Sequence, residues 1–213
     1  MSLQSEVSSQ LREWQATLER ELTAHLSTLR TDPDIFGYAL EAPEDLGNLH
    51  LMTAIGRESK LAGEEPDSEY WVGRRYSPVE WDGYVHDSNV FAESNARLES
   101  MQSKFAPVFF DDECSFTRLG TRFQRSLHNA CLDAMAQCDT EGAFGSIWFK
   151  VIFFSDGESP VVRKSFNRLN RGRARKEANE LYNGPGLIKN IRKFLWSVYA
   201  RQVRRRRSRQ KNR

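Results

Sequence analysis

Leu3, Val7, Leu11, Trp14, Leu18, Leu22, His25 or Leu26, and Leu29 recur every three or four residues. That spacing lays one apolar stripe along a single amphipathic helix, predicted over Leu3–Leu29. The "TDPD" of Thr31–Asp34 stops it, because proline removes a backbone donor and Thr and Asp favour turns. The pattern then loses its helical period. "IFGYALE" (Ile35–Glu41) and "NLHLMTAIG" (Asn48–Gly56) read as two strands of an antiparallel hairpin with a longer loop. Arg57–Glu69 is polar and acidic, with Gly63 and Pro66, and reads as a solvent loop. "EYWVGRRYSPVEW" (Glu69–Trp81) reads as a third strand running into a turn at Pro78.

A helix is predicted around Ser88–Phe105, with Val90, Phe91, Leu98, Met101 and Phe105 inward, and "APVFFDDE" breaks it. The next stripe, Phe116, Leu119, Phe123, Leu127, Cys131, Ala134, Met135 and Cys138, is again helical, and its opposite face carries Arg118, Arg122 and Arg125. "DTEGAFG" closes that helix with glycine chemistry. "SIWFKVIFFSD" (Ser146–Asp156) is the strongest strand pattern and is expected at the centre of the sheet. A basic stretch of loop and helix follows, then "GPG" (Gly184–Gly186) and a last amphipathic helix, Leu187–Val203. The predicted architecture is α+β: helices packed on a mostly antiparallel sheet, in one domain over residues 1–186. A basic C-terminal helix and tail occupy 187–213.

Charge changes this picture. From Arg163 onward the chain holds 18 Lys and Arg against two Glu, so an end of net +16 follows a body of net −14. Such asymmetry reports on partners, not on the fold. No apolar run approaches the ~20 residues that span a bilayer; the longest, Ile147–Phe154, contains Lys150. The first residues lack a basic segment followed by an apolar one, and three cysteines without paired spacing suit a reducing compartment. The expected location is cytoplasmic. Cys131 and Cys138 read as small buried hydrophobes.

Catalytic chemistry finds little to stand on. His25, His50, His86 and His128 form no metal-ligand spacing; His128 with Cys131 could supply half a site, but reads as a helix-surface histidine beside a buried cysteine. There is no nucleophile elbow and no glycine-rich phosphate loop. Asp111, Asp112 and Glu113 precede a helix and are expected to cap it. No catalytic residue, metal or cofactor is assigned, and a non-catalytic role is favoured.

"YSPVEW" (Tyr76–Trp81) admits two readings. Tyr76 and Trp81 stack on a ligand with Glu80 accepting a hydrogen bond, or the rings fill a sheet–helix junction whose corner Pro78 sets. Together with "IFGYALE", "CDTEGAFG", "VIFFSD" (Val151–Asp156) and "NRLN" (Asn167–Asn170), in that order, it resembles an uncharacterised family of bacterial domains of unknown function, over about Phe36–Asn170. Families of this kind are found among toxin–immunity genes, which implies a binding role and brings no catalytic residues.

Two partner classes are therefore expected. A protein partner, in the resemblance's terms a toxin, would meet Glu64, Glu65, Asp67 and Glu69 together with Tyr76, Glu80 and Trp81. A nucleic acid or an anionic surface would meet Arg201, Arg204, Arg205, Arg206, Arg207, Arg209 and Lys211.

Overall fold

The computed structural model of the protein describes residues 3–43, 50–62, 69–81, 90–113, 115–154 and 159–184. Helix α1 (Leu3–Leu29) has the predicted bounds, and Val7, Leu11, Trp14, Leu18, Leu22 and Leu26 are buried along it. Strand β1 (Ile35–Glu41) pairs antiparallel with β2 (Met52–Arg57), as the hairpin pattern requires. On its other side β1 pairs parallel with β3 (Phe149–Phe153). The sheet order is β2-β1-β3, so the sheet is mixed, not mostly antiparallel, and β1, not β3, lies at its centre. The run of apolar residues in β3 misleads on this point. A parallel strand covered on both faces is apolar nearly throughout, whether or not it has two neighbours, and all five of its residues, Lys150 included, are buried.

Helices cover both faces. Tyr38 and Leu40 of β1 and Ile152 of β3 join the larger apolar layer, built with α1, α3 (Ala92–Phe109) and α4 (Arg118–Thr140). Ala39, Phe149, Val151 and Phe153 face the smaller layer, which includes Phe166 of α5 (Pro160–Leu169) and Ala174, Ala178 and Tyr182 of α6 (Gly172–Asn183). The Trp14 indole Nε1–H donates to the Ser94 carbonyl at 3.0 Å, which fixes α1 against the start of α3.

A three-stranded sheet has two edge strands, and each edge presents unpaired backbone groups. Here side chains complete the β3 edge. On the free side of β3, Lys150 N–H donates to Asn170 Oδ1 at 2.9 Å, and Asn170 Nδ2 donates to the carbonyls of Lys150 and Phe166. One pleat along, Ile152 N–H donates to Ser165 Oγ at 2.9 Å. Thus α5 takes the place of a fourth strand. Leu51, the residue before β2, is held in the same manner: its N–H donates to Asn95 Oδ1 at 2.8 Å, and Asn95 Nδ2 donates to its carbonyl at 3.3 Å.

Several elements depart from the sequence pattern. Glu69–Tyr76, expected as a strand, is a helix, α2. Its aromatic composition suits a strand, but helical spacing sets Trp71 beside Arg75 and Val72 beside Tyr76, and tertiary contacts decide. Helix α3 starts later than Ser88 and runs through Pro107 to Phe109. Phe109 is buried and stacks on Phe123 of α4 at 4.6 Å, so packing holds the last turn that proline weakens. Phe116 lies outside α4 and bridges to Phe110. The cap of α4 is Thr117, whose Oγ1 accepts from Gly120 N–H at 3.1 Å. Asp111 instead closes its own turn, accepting from Glu113 and Ser115 N–H at 3.0 and 2.8 Å. A Cβ at Gly120 would meet the Phe109 carbonyl oxygen at 2.3 Å, so only glycine permits this approach of α3 and α4. The predicted helix Leu187–Val203 and the tail lie outside the described residues.

The sheet edge yields a direct test. Asn170→Ala strands the buried N–H and carbonyl of Lys150 and should cost about 2–4 kcal/mol in urea unfolding. Asn167→Ala, at a half-buried position three residues away, should cost less than about 1 kcal/mol. Equal losses would remove the edge-completing role from Asn170.

Candidate functional site

The Tyr76–Trp81 corner begins with α2, which Pro78 ends. Ser77 N–H bonds to the Gly73 carbonyl at 2.9 Å, and the chain then makes one 3-10 turn over Pro78–Glu80. That turn lays the Trp81 indole across the hairpin. Its Nε1–H donates to the Arg75 carbonyl at 3.0 Å. Its ring covers Gly37 and Gly56, which are cross-strand partners in the β1–β2 register. A Cβ at Gly37 would come within 2.7 Å of that ring, and one at Gly56 within 2.8 Å of the Phe36 ring. Both glycines are needed for the close approach of the ring, not for an unusual backbone angle.

Arg75 is the centre of the cluster. It is 3% exposed, yet it carries a full charge. Its guanidinium lies 4.6 Å from the Phe36 ring centre, 4.9 Å from Trp71, 5.4 Å from Trp148 and 6.0 Å from Tyr76. The negative faces of the rings attract the cation, and desolvation strengthens that attraction. Both terminal nitrogens reach the Glu58 carboxylate, Nη1 at 2.9 Å. Nε–H has no hydrogen-bond acceptor, and the surrounding rings are its electrostatic partners. Arginine suits this place because its flat, weakly hydrated head can both stack and fork.

Helix α6 closes the cluster from the far end of the described chain. The Tyr76 hydroxyl donates to Glu177, Arg173 Nε donates to Glu177 at 2.8 Å, and the Arg173 guanidinium lies 4.8 Å from the Trp148 ring centre. Burial, then the Glu177 carboxylate, pushes the Tyr76 phenol well above its ordinary value. Burial works against ionised Glu177, but the Tyr76 hydroxyl and Arg173 outweigh it and hold its carboxyl below the usual range. Tyr182 stacks on Phe166 at 4.5 Å and donates its hydroxyl to the Tyr76 carbonyl at 2.6 Å.

Of the residues singled out in sequence, Tyr76 and Trp81 are buried and Glu80 is half-buried. Glu64, Glu65, Asp67 and the side chain of Glu69 lie outside the described residues, as do Arg201, Arg204, Arg205, Arg206, Arg207, Arg209 and Lys211. The groups that reach the surface here are Trp71 and Trp148, both half-buried, and Arg173, exposed. Sequence reading missed them: Trp148 and Arg173 join the corner only through the fold. Their one legible signal is residue type, since Trp and Arg dominate binding hot spots.

His128 is buried, not at the helix surface as expected. Its Nε2–H donates to the Pro43 carbonyl at 2.9 Å, and burial lowers its pKa. Burial pushes the Cys131 thiol up to about 12 and raises Cys138, so both sulfurs are inert. Among the described residues no group of three His, Cys, Asp or Glu could hold a metal, and no helix is long and apolar enough to cross a membrane.

A protein-family model described as Domain of unknown function (DUF4303) matches residues 16–171. The chain belongs to this family. The DUF4303 match contains Arg75, the rings around it, Trp81, Asn95 and Asn170, and it ends before α6. No curated protein and no solved structure matches the chain.

This geometry sets two measurements. Arg75→Ala should cost about 3 kcal/mol, and Glu58→Ala about 1 kcal/mol because that carboxylate sits at the rim; the reverse order in urea unfolding would displace Arg75 from its central role. His128 binds its proton less well folded than unfolded. Its contribution is therefore complete above about pH 6.5 and falls away as the pH drops through the folded value, by at most about 1.4 kcal/mol per pH unit. His128→Gln should flatten unfolding midpoints between about pH 7.5 and 5.5, and an unchanged slope would assign it to another group.

Proposed function

We propose that the protein is a non-catalytic interaction protein of the immunity type, which binds and masks a basic protein toxin. The observation that carries the reading is the half-buried pair Trp71 and Trp148, both of which approach the buried Arg75 guanidinium and keep part of their surface open to solvent. Rigid aromatic and arginine side chains lose little freedom when a partner covers them, and they anchor interfaces. The acidic stretch containing Glu64, Glu65, Asp67 and Glu69 runs directly into α2. Its charge suits steering of a cationic partner, followed by anchoring on the two indoles. The resemblance to domains of the kind found among toxin–immunity genes points in the same direction.

A second reading rests on a different observation: eight of the last 13 residues are Lys or Arg. A nucleic-acid backbone would be held there by release of counterions. Its affinity would fall steeply with salt and would vanish on removal of residues 204–213, with the aromatic pair intact.

Co-expression with the product of the neighbouring reading frame separates the two. The immunity reading expects a complex that survives purification and restored growth. Glu64→Lys, Glu65→Lys and Asp67→Lys together should slow association about tenfold or more at low salt. Trp148→Ala should chiefly speed dissociation. No complex and no protection would overturn it.

A further inference from the structure

A second surface feature lies away from the Arg75 cluster. A cleft of about 390 Å³ opens between one face of α4 and the first turn of α5, with Phe154 and the His128 ring among its walls. It sits at the carboxyl ends of the two parallel strands. Phe154 directly follows β3, and His128 is bonded to Pro43, two residues past the end of β1. Crevices at that end of parallel strands are where open α/β sheets bind ligands. The volume is in the range of small-molecule sites.

The chemistry of the walls is selective. Arg125 of α4 and Lys164 of α5 both line the cleft, and both are exposed. Neither has a carboxylate partner among the described residues, whereas nearby Arg168 is paired with Asp133 and Lys150 with Asp139. No Asp or Glu lines the cleft among the described residues. Two cations without a carboxylate partner among the described residues are conspicuous at one cleft on a body whose net charge is −14. Glu41, whose Oε2 is buried without a partner, is in register with Phe153 and shares its side of the sheet, opposite Phe154. The floor is apolar and ring-faced: His128 and Phe154 lie 4.9 Å apart, centre to centre. Because the Pro43 oxygen can only accept, His128 Nε2 carries the proton, and Nδ1 of the neutral ring is left as an acceptor. The start of α5 adds little by itself, since Ser159 Oγ already accepts from Val161 N–H and Pro160 has none to offer.

We propose that this cleft binds a small organic phosphate, its anionic group held by Arg125 and Lys164 and its planar body lying against Phe154 and His128. Such a site is separate from the proposed protein interface and would stand whether or not that interface exists.

Phenyl phosphate is the direct probe, with inorganic phosphate, phenol and sodium chloride at matched ionic strength as comparisons. In titrations of the isotope-labelled full chain, amide shifts should saturate and centre on Asn129, Phe154 and Val161. Phenyl phosphate should bind about tenfold tighter than inorganic phosphate. Arg125→Gln with Lys164→Gln should weaken it at least tenfold with the unfolding midpoint unchanged. Linear shifts equal to those in chloride would overturn the proposal. So would saturable shifts that the double variant leaves intact, or shifts confined to residues 204–213. If the double variant is itself unfolded, Arg125→Lys alone, which keeps the charge but loses the fork, should still weaken phenyl phosphate, and no change would count against the site.

Discussion

The fold rests on hydrogen bonds from asparagine and serine side chains to the margins of a sheet too narrow to protect itself. Among the described residues only β1 has a strand on each side. Asn170 and Ser165 meet the backbone of β3, and Asn95 meets that of Leu51. A buried backbone group without a partner costs about 1–3 kcal/mol, so a bare edge under a helix would be ruinous in a domain of ordinary stability. The amide solves the problem because it offers a donor and an acceptor side by side, the pair a neighbouring strand would present. Covering β3 in this way also removes a template for pairing with another chain.

A second constraint joins distant parts of the chain. Arg75 is buried with its charge, so the rings of Phe36, Trp71, Tyr76 and Trp148 must close round it and Glu58 must meet it. Those rings come from β1, α2 and the approach to β3. Trp81 then locks the same region to the hairpin through two glycines that face each other across strands. Packing here is correspondingly exact in shape and intolerant of added volume.

Much of this is legible in sequence. The stripe of α1 and the pattern of β1 mark their own bounds, because period 3.6 and a short aromatic strand between turns are local signals. The long stripe of α4 is equally plain, although its first turn begins after Phe116. Glu69–Tyr76 defeats the pattern because contacts with α6, about a hundred positions away, recruit strand-like residues into a helix. The place of β3 is hidden because periodicity reports burial, not neighbours. The burial of His128 is hidden because its partner is a loop carbonyl, which leaves no mark on the helical pattern. At the candidate site, Tyr76 and Trp81 are visible in sequence, while the groups that bring the corner to the surface are not. Asn170 stands within the matched family region, but its role depends on geometry that no spacing rule encodes.

The family match ends at residue 171, one position past Asn170, while the smaller apolar layer continues into α6. The inherited unit and the folding unit therefore have different borders. A chain ended at residue 171 would keep the side-chain bonds to β3 and to Leu51. It would leave the Tyr76 hydroxyl without its carboxylate and the Phe166 ring without Tyr182 stacked upon it. Helix α6 is thus a clasp contributed from outside the shared unit, and chains that keep the unit but exchange the segment after it would need another way to shield the same rings.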